Sequence, residues 1–199
     1  FNEKYSFIIK DFHLQAINGT SCPECKYFTT NFDPMLLITL DVNENNENIY
    51  DSLDDYTKIY TLDSENLWKC DKCNKLVNCE KRNRFWKLPE ILIIMIKQYN
   101  DNSKKIDKFV EYPMDLNMEP YCYNYKNDSL QYELQSICIH TGSLRGGHYY
   151  AYCKNILDNK WRQYNDSHVS DPLDKENPYH PLNIETYKEI PLEKIPDTE

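Results

Sequence analysis

Apolar residues along the chain fall mostly in short runs of strand length, often alternating with polar ones. Phe7–Ile9, Met35–Val42, Lys87–Gln98, Tyr132–His140, His148–Lys154 and Lys160–Tyr164 are rich in Ile, Val, Tyr and Trp and read as β-strands. One segment has helical rhythm: Ile49, Leu53, Tyr56 and Tyr60 recur at three- and four-residue spacing, with Asp51 or Ser52 as its cap. The polar run after Tyr99, Asn100–Lys105, predicts an exposed loop, and the Asn/Glu tract Asn43–Asn48 a solvated connection. After Ser170 the chain turns Pro-rich and charged, with weak periodicity. The pattern is that of a strand-dominated α+β fold spanning residues 1–170, followed by a C-terminal segment, 171–199, of no evident structure.

With 199 residues, 40% of them apolar, the chain can build one ordinary core, or one core with an extended lobe. Its net charge of −9 argues against a nucleic-acid-binding face, which needs clustered Lys and Arg, and is compatible with a basic protein partner. The longest apolar run, Ile91–Ile96, has strand length and falls far short of the roughly 20 residues of a membrane span. No membrane association is therefore expected. The opening residues Phe1–Lys4 lack the charged and apolar regions of a secretory signal, so Asn18-Gly19-Thr20 reads as a chance glycosylation sequon. The expected location is cytoplasmic or nuclear.

Cysteine usage agrees with a reducing compartment. Four of the eight cysteines form two matched pairs, Cys22-Pro-Glu-Cys25 and Cys70-Asp-Lys-Cys73. A two-residue spacer lets both sulfurs of a pair face one ion, and two such knuckles complete a tetrahedral thiolate set, which predicts one structural zinc. Disulfides or free thiols are the alternatives. Because the separation between the pairs exceeds that of a compact zinc ribbon, the knuckles should sit at the tips of two hairpins.

Three of the four glycines of the chain lie in His140-Thr-Gly142-Ser-Leu-Arg-Gly146-Gly147-His148-Tyr149-Tyr150-Ala-Tyr152. Glycine gathers where backbone bends sharply or is approached closely. A histidine entering a strand after such a loop is placed to act as a general base, or is simply structural. Seventeen residues on, Tyr164-Asn165-Asp166 closes another strand, and either Asn165 or Asp166 is able to accept from the imidazole and fix its tautomer.

This stretch resembles the histidine box of the ubiquitin-specific proteases, Gly-Gly-His-Tyr-x-Ala-Tyr followed by Trp-x-x-x-Asn/Asp-Asp. The resemblance extends over roughly residues 7–170. Phe12, ten residues before Cys22, is similar to the approach to the first knuckle, although Leu14 stands where the family usually has Gly. Asp33-Pro34-Met35 with Ile38-Thr39-Leu40 resembles the family's Glu-Pro-Phe and Leu-Ser-Leu. Leu88-Pro89 through Lys97-Gln98-Tyr99 resembles Leu-Pro-x-x-Leu-x-Ile-x-Leu-Lys-Arg-Phe, and Tyr112-Pro113 with Leu116 fits the strand after it.

The resemblance implies a papain-like cysteine protease fold: a twisted antiparallel palm sheet with zinc-tipped β fingers that grip ubiquitin. Ubiquitin and ubiquitinated proteins would be the partners. Gly142, Gly146, Gly147 and Tyr149 would flank the channel for ubiquitin's C-terminal tail. His148 would activate the nucleophile, Asn165 would orient it, and Asp166 would support polar contacts beside it. Two departures stand out. The family's Gly-Asn-Thr-Cys nucleophile segment does not occur in this sequence, and Cys79, Cys122, Cys138 and Cys153 read as core or incidental thiols. The 199 residues alone are therefore expected to be inactive. The apolar closing strand expected after Val169 is also not recognisable in Asp171–Glu199. An active deubiquitinase and a catalytically silent ubiquitin-binding relative both fit the pattern.

Overall fold

A computed structural model describes residues 6–99, 106, 108–123, 130–143 and 145–170. The chain divides into two compact units, one of Phe1–Lys97 with Asn117–Tyr132, the other of Gln98–Leu116 with Glu133–Glu199. The C-terminal segment 171–199 and the polar run 100–105 lie outside the described residues.

The first unit opens with a short helix, α1 (Phe7–Phe12), where the residue types predict a strand. Local capping decides the outcome: Ser6 accepts from the Ile8 N–H, and main-chain bonds from Lys10 and His13 reach back to Ser6 and Ile9. Next come β1 (Leu14–Ser21), β2 (Phe28–Met35), β3 (Ile38–Asp41), α2 (Ile49–Thr57), β4 (Tyr60–Thr61), β5 (Trp68–Lys69), β6 (Leu76–Val77), β7 (Glu80–Lys87) and β8 (Ile94–Lys97). The order β2-β1-β7-β4 forms a four-stranded antiparallel sheet; β5 and β6 form a separate two-stranded ribbon.

The predicted strand Met35–Val42 is divided between β2 and β3, and Lys87–Gln98 is split as well: Lys87 ends β7, opposite Gln15, and Ile94–Lys97 forms β8, parallel to β3. Pro89 has no N–H to give a ladder, which suits the break between β7 and β8. In α2 the cap is Asn48 rather than Asp51 or Ser52. Its side chain accepts from the Tyr50 and Asp51 N–H groups, while Asp51 accepts in return from the Asn48 N–H at 3.0 Å. The helix stops at Thr57, so Tyr60 belongs to β4.

The Asn/Glu tract before α2 is also more ordered in its contacts than its composition suggests. Asn46 is buried, and its side chain and that of Asn43 both donate to the Asp55 carboxylate. Packing of α2 on the sheet is set by Leu53, fully buried, and by Tyr56 stacked parallel on Phe85 with ring centroids 5.4 Å apart.

After β9 (Asp115–Asn117) comes a 3-10 turn at Glu119–Tyr121, then β10 (Gln131–Glu133). The second unit is built on an antiparallel meander: β11 (Ser136–Ser143), β12 (Gly146–Lys154), β13 (Trp161–Asn165) and β14 (His168–Ser170), paired in chain order. Tyr152 and Trp161 are its most buried rings. A strand-dominated α+β architecture with antiparallel sheets, as the sequence predicts, is what the chain forms.

Candidate metal centre and histidine site

The two cysteine pairs occupy equivalent turns. The first joins β1 to β2 and the second joins β5 to β6. In each, the first cysteine's N–H donates to the carbonyl five residues on, Cys22 to Tyr27 and Cys70 to Lys75, both at 2.9 Å. The residue after the second cysteine donates back to the first: Lys26 to Cys22 at 3.0 Å and Asn74 to Cys70 at 2.8 Å. That closure requires a left-handed residue, and Lys26 and Asn74 take φ of 57° and 58°. The loop Asn155–Lys160 closes with the same two bonds and a left-handed Asn159, yet presents Asn155 and Asp158 where the knuckles present thiols. The turn is generic; the sulfurs make the difference.

All four sulfurs lie within 4.8 Å of one another. Cys22 to Cys73 is 3.8 Å and Cys25 to Cys70 is 3.6 Å. These spacings are far beyond a disulfide bond of about 2.05 Å. They match the edge of about 3.8 Å that a tetrahedron with Zn–S of about 2.3 Å requires. Cys22 and Cys70 are fully buried, against Val77 and a fifth cysteine, Cys79. An ion pair between Lys75 and Glu24, 2.8 Å apart, ties one knuckle to the other. The thiols are unequal: the Cys25 N–H holds Cys22 down at about 7, while burial pushes Cys25 up to about 11. A bound dication would draw all four to thiolate. The cluster is therefore able to hold one metal ion, with four protein ligands and no open position.

In the second unit the predicted glycine loop is a tight hairpin. Gly142 pairs with Gly147 and Ser143 with Gly146, so β12 begins two residues before His148. Two of the three glycines answer to the hairpin itself. Gly142 has φ of +100°, and a Cβ on Gly147 would sit 2.2 Å from His140 Nε2. Gly146 has nothing within 4 Å of its Cβ direction and is open to an approaching chain.

Ala151 pairs with Tyr164, and continuing that register puts Asn165 opposite Tyr150. His148 is then the diagonal neighbour of Asn165 on one face of the sheet. The side chains meet, His148 Nε2 to Asn165 Oδ1, at 2.5 Å. With Nε2–H donated to the amide oxygen, Nδ1 carries the free lone pair and is the basic nitrogen. His148 itself is exposed. Asp166 follows as the first residue of the two-residue β13–β14 loop, exposed and with φ of 50°. Its place is that of a turn residue beside Asn165.

A model of the ubiquitin carboxyl-terminal hydrolases matches residues 2–183. The chain belongs to that family. Among curated relatives, a probable ubiquitin carboxyl-terminal hydrolase of Acanthamoeba polyphaga mimivirus is 30% identical over 94% of this chain and 42% of its own length. Ubiquitin carboxyl-terminal hydrolase 8 of Saccharomyces cerevisiae is 34% identical over 75% of this chain and 34% of its own length. Among solved structures, the SAGA DUB module of Ubp8, Sgf11, Sus1 and Sgf73 bound to monoubiquitin aligns with a TM-score of 0.75 and 31% identity. That alignment covers 86% of this chain and 39% of the neighbour. The chain thus spans less than half the length of these relatives.

Family membership makes the remaining thiols worth locating. Cys138, exposed rather than buried as its strand suggests, pairs with Ala151, three residues along β12 from His148. At about 3.3 Å per residue that is about 10 Å, beyond proton-transfer reach. Cys153 is further along the same strand, and burial raises its pKa. Burial likewise pushes Cys122, in the first unit, up to about 11. Neither carries the lowered pKa of an activated nucleophile.

Beside the hairpin lies a cavity of about 260 Å³, lined by Tyr99, His140, Ser143, Arg145, Gly146, Gly147 and Tyr149. The sequence singles out the glycines and Tyr149 here, but not Tyr99, His140 or Arg145. Pairing in the hairpin is what brings His140 against Tyr149, with ring centroids 4.5 Å apart. Among the described residues, no helix is long and apolar enough to cross a membrane.

Proposed function

We propose that residues 1–170 are the fingers-and-palm portion of a deubiquitinase, a thiol-dependent hydrolase of the bond after ubiquitin's terminal Gly. The observation that carries this reading is the contact between His148 Nε2 and Asn165 Oδ1 in a chain of this family. Asn165 holds the imidazole in the tautomer whose Nδ1 takes a proton from the attacking thiol, then returns it to the leaving amine. Asp166 sets the turn that presents Asn165. The nucleophilic thiol comes from beyond these 199 residues. Ubiquitin as partner is supported by similar domains solved with monoubiquitin and with ubiquitin aldehyde.

Cys22, Cys25, Cys70 and Cys73 hold a structural zinc that cross-links the two hairpin turns. Zinc supplies no chemistry to the cleavage step, because four thiolates leave it no open position. Two matched cysteine pairs suited to metal rather than disulfides favour a reducing compartment, the cytoplasm or nucleus. The test is cleavage of a ubiquitin C-terminal reporter. The full-length protein turns it over and loses activity on thiol alkylation, and the 199-residue chain alone does not. A full-length protein that binds ubiquitin without cleaving it would instead be a silent relative, and turnover by the 199 residues alone would refute the external nucleophile.

A further inference from the structure

His140 belongs to the hairpin face that carries Tyr149, not to the one that carries His148. It stands directly opposite Tyr149 across the β11–β12 pair, and two positions further along Gly142 stands opposite Gly147. Opposed residues of an antiparallel pair project from the same face, and alternate residues of a strand share it. His140, Tyr149, Gly142 and Gly147 therefore line one side, and His148 projects from the other.

Two contacts fix the place of the His140 ring. The first is with Gly147: a Cβ there would collide with Nε2 and lie 2.9 Å from Cε1, so the imidazole occupies the volume that a side chain at 147 would need. The Thr141 carbonyl crowds the same point at 2.5 Å, so the hairpin requires glycine there in any case, and the ring fills what the glycine leaves. The second contact is with Tyr149, whose ring centroid lies 4.5 Å away at an interplanar angle of 41°. Tyr149 is 66% exposed. An exposed aromatic side chain without a packed neighbour samples several rotamers, and ordering it on binding weakens affinity. Packing against a ring already lodged over Gly147 removes that freedom before any ligand arrives. One residue away, Gly146 leaves the backbone open.

We propose that His140 is a positioning residue of the tail channel: its imidazole, seated over Gly147, holds the Tyr149 ring in the orientation that receives the ubiquitin tail where it passes Gly146. The inference rests on the deubiquitinase reading and adds to its tail site a residue that acts through Tyr149. Its effect falls on binding rather than on the chemical step, because the contact between His148 and Asn165 is made on the opposite face.

The experiment uses the full-length protein as wild type, His140→Ala, His140→Gln, Tyr149→Ala and the double variant His140→Ala with Tyr149→Ala. It reads Kd for ubiquitin, and KM and kcat on a ubiquitin C-terminal reporter. His140→Ala raises Kd and KM about fivefold with kcat within about twofold of wild type. His140→Gln, which keeps a side-chain nitrogen but no ring, does the same. Tyr149→Ala raises both constants by at least as much, and adding His140→Ala to it changes them by less than about twofold, since nothing is left to position. Additive losses in the double variant overturn the proposal. Wild-type constants in His140→Ala overturn it too, and wild-type constants in His140→Gln alone do so by making a nitrogen the acting group. A fall in kcat for His140→Ala as large as the rise in KM overturns it by carrying the effect to His148. A wild type that neither binds nor cleaves ubiquitin removes the deubiquitinase reading and this site with it, an outcome distinct from a silent His140→Ala in an active enzyme.

Discussion

The four-cysteine cluster and the His148–Asn165 pair represent opposite solutions to holding reactive side chains. At the cluster, two turns with matched backbone hydrogen bonds aim four sulfurs at one point, with Cys22 and Cys70 fully buried. At the pair, one contact of 2.5 Å holds the imidazole of an exposed histidine. A closed ligand set spends its chemistry on the fold, because nothing remains for a substrate to reach. An oriented but exposed imidazole adds little to the fold and keeps one nitrogen free for a proton. Damage to the first should appear as lost structure, and damage to the second as lost turnover.

The largest effect is expected from the metal site. Cys70→Ser should lower bound zinc from about one per chain to none and unfold the turns it joins, since such sites contribute apparent binding energies of about 10–16 kcal/mol. Metal analysis under reducing conditions, with thermal melting, checks this. A folded, metal-free protein with four reactive thiols would break the contrast. Next comes Asn165→Ala, which should lower turnover by about 10- to 100-fold with zinc content and melting temperature unchanged. An equal loss of melting temperature would make Asn165 a structural residue.

Asp166 sharpens the contrast by a smaller amount. At φ of 50°, Asp166→Gly should leave stability and turnover intact, whereas Asp166→Ala should destabilise by about 1 kcal/mol from its left-handed backbone. A drop in turnover for Asp166→Gly as large as for Asn165→Ala would give the carboxylate a chemical part. The smallest effect concerns the turn at Asn155–Lys160, which carries no thiols. Hydrogen bonds from Arg162, and then the Lys160 N–H, hold Asp158 down at about 2. A depressed carboxylate stabilises above its unfolded pKa of about 3.9 and loses that stabilisation as pH falls toward 2. Arg162→Gln should raise the Asp158 midpoint in a carboxyl NMR titration; an unmoved midpoint would assign the shift to the backbone.

What the sequence makes legible follows from where its information is local. Two cysteines at fixed spacing specify a knuckle whatever surrounds them, and the prediction that the pairs sit on hairpin turns agrees with β1–β2 and β5–β6. The meander from β11 to β13 announces itself through alternating Ile, Tyr and Trp. By contrast, β1 and β7 carry Gln, Asn, Lys and Arg along both faces, so no period marks them, and their pairing is decided by each other. Phe7–Ile9 fails for the reverse reason: three β-favouring residues are overruled by one serine cap. Asn46 reads as solvated because its partner, Asp55, lies in a helix nine residues on. His140 and Tyr99 are missed because only the folded hairpin and its cavity place them beside Tyr149.

The most direct test is turnover of His148→Ala in the full-length protein, measured on a ubiquitin C-terminal reporter at verified zinc content and ubiquitin affinity. A loss of at least about 10³-fold in kcat is expected, with about one zinc per chain and affinity within about twofold of wild type. Turnover near that of wild type would contradict the assignment of His148 as the base, and loss of zinc or of ubiquitin binding in this variant would contradict the separation of the two sites.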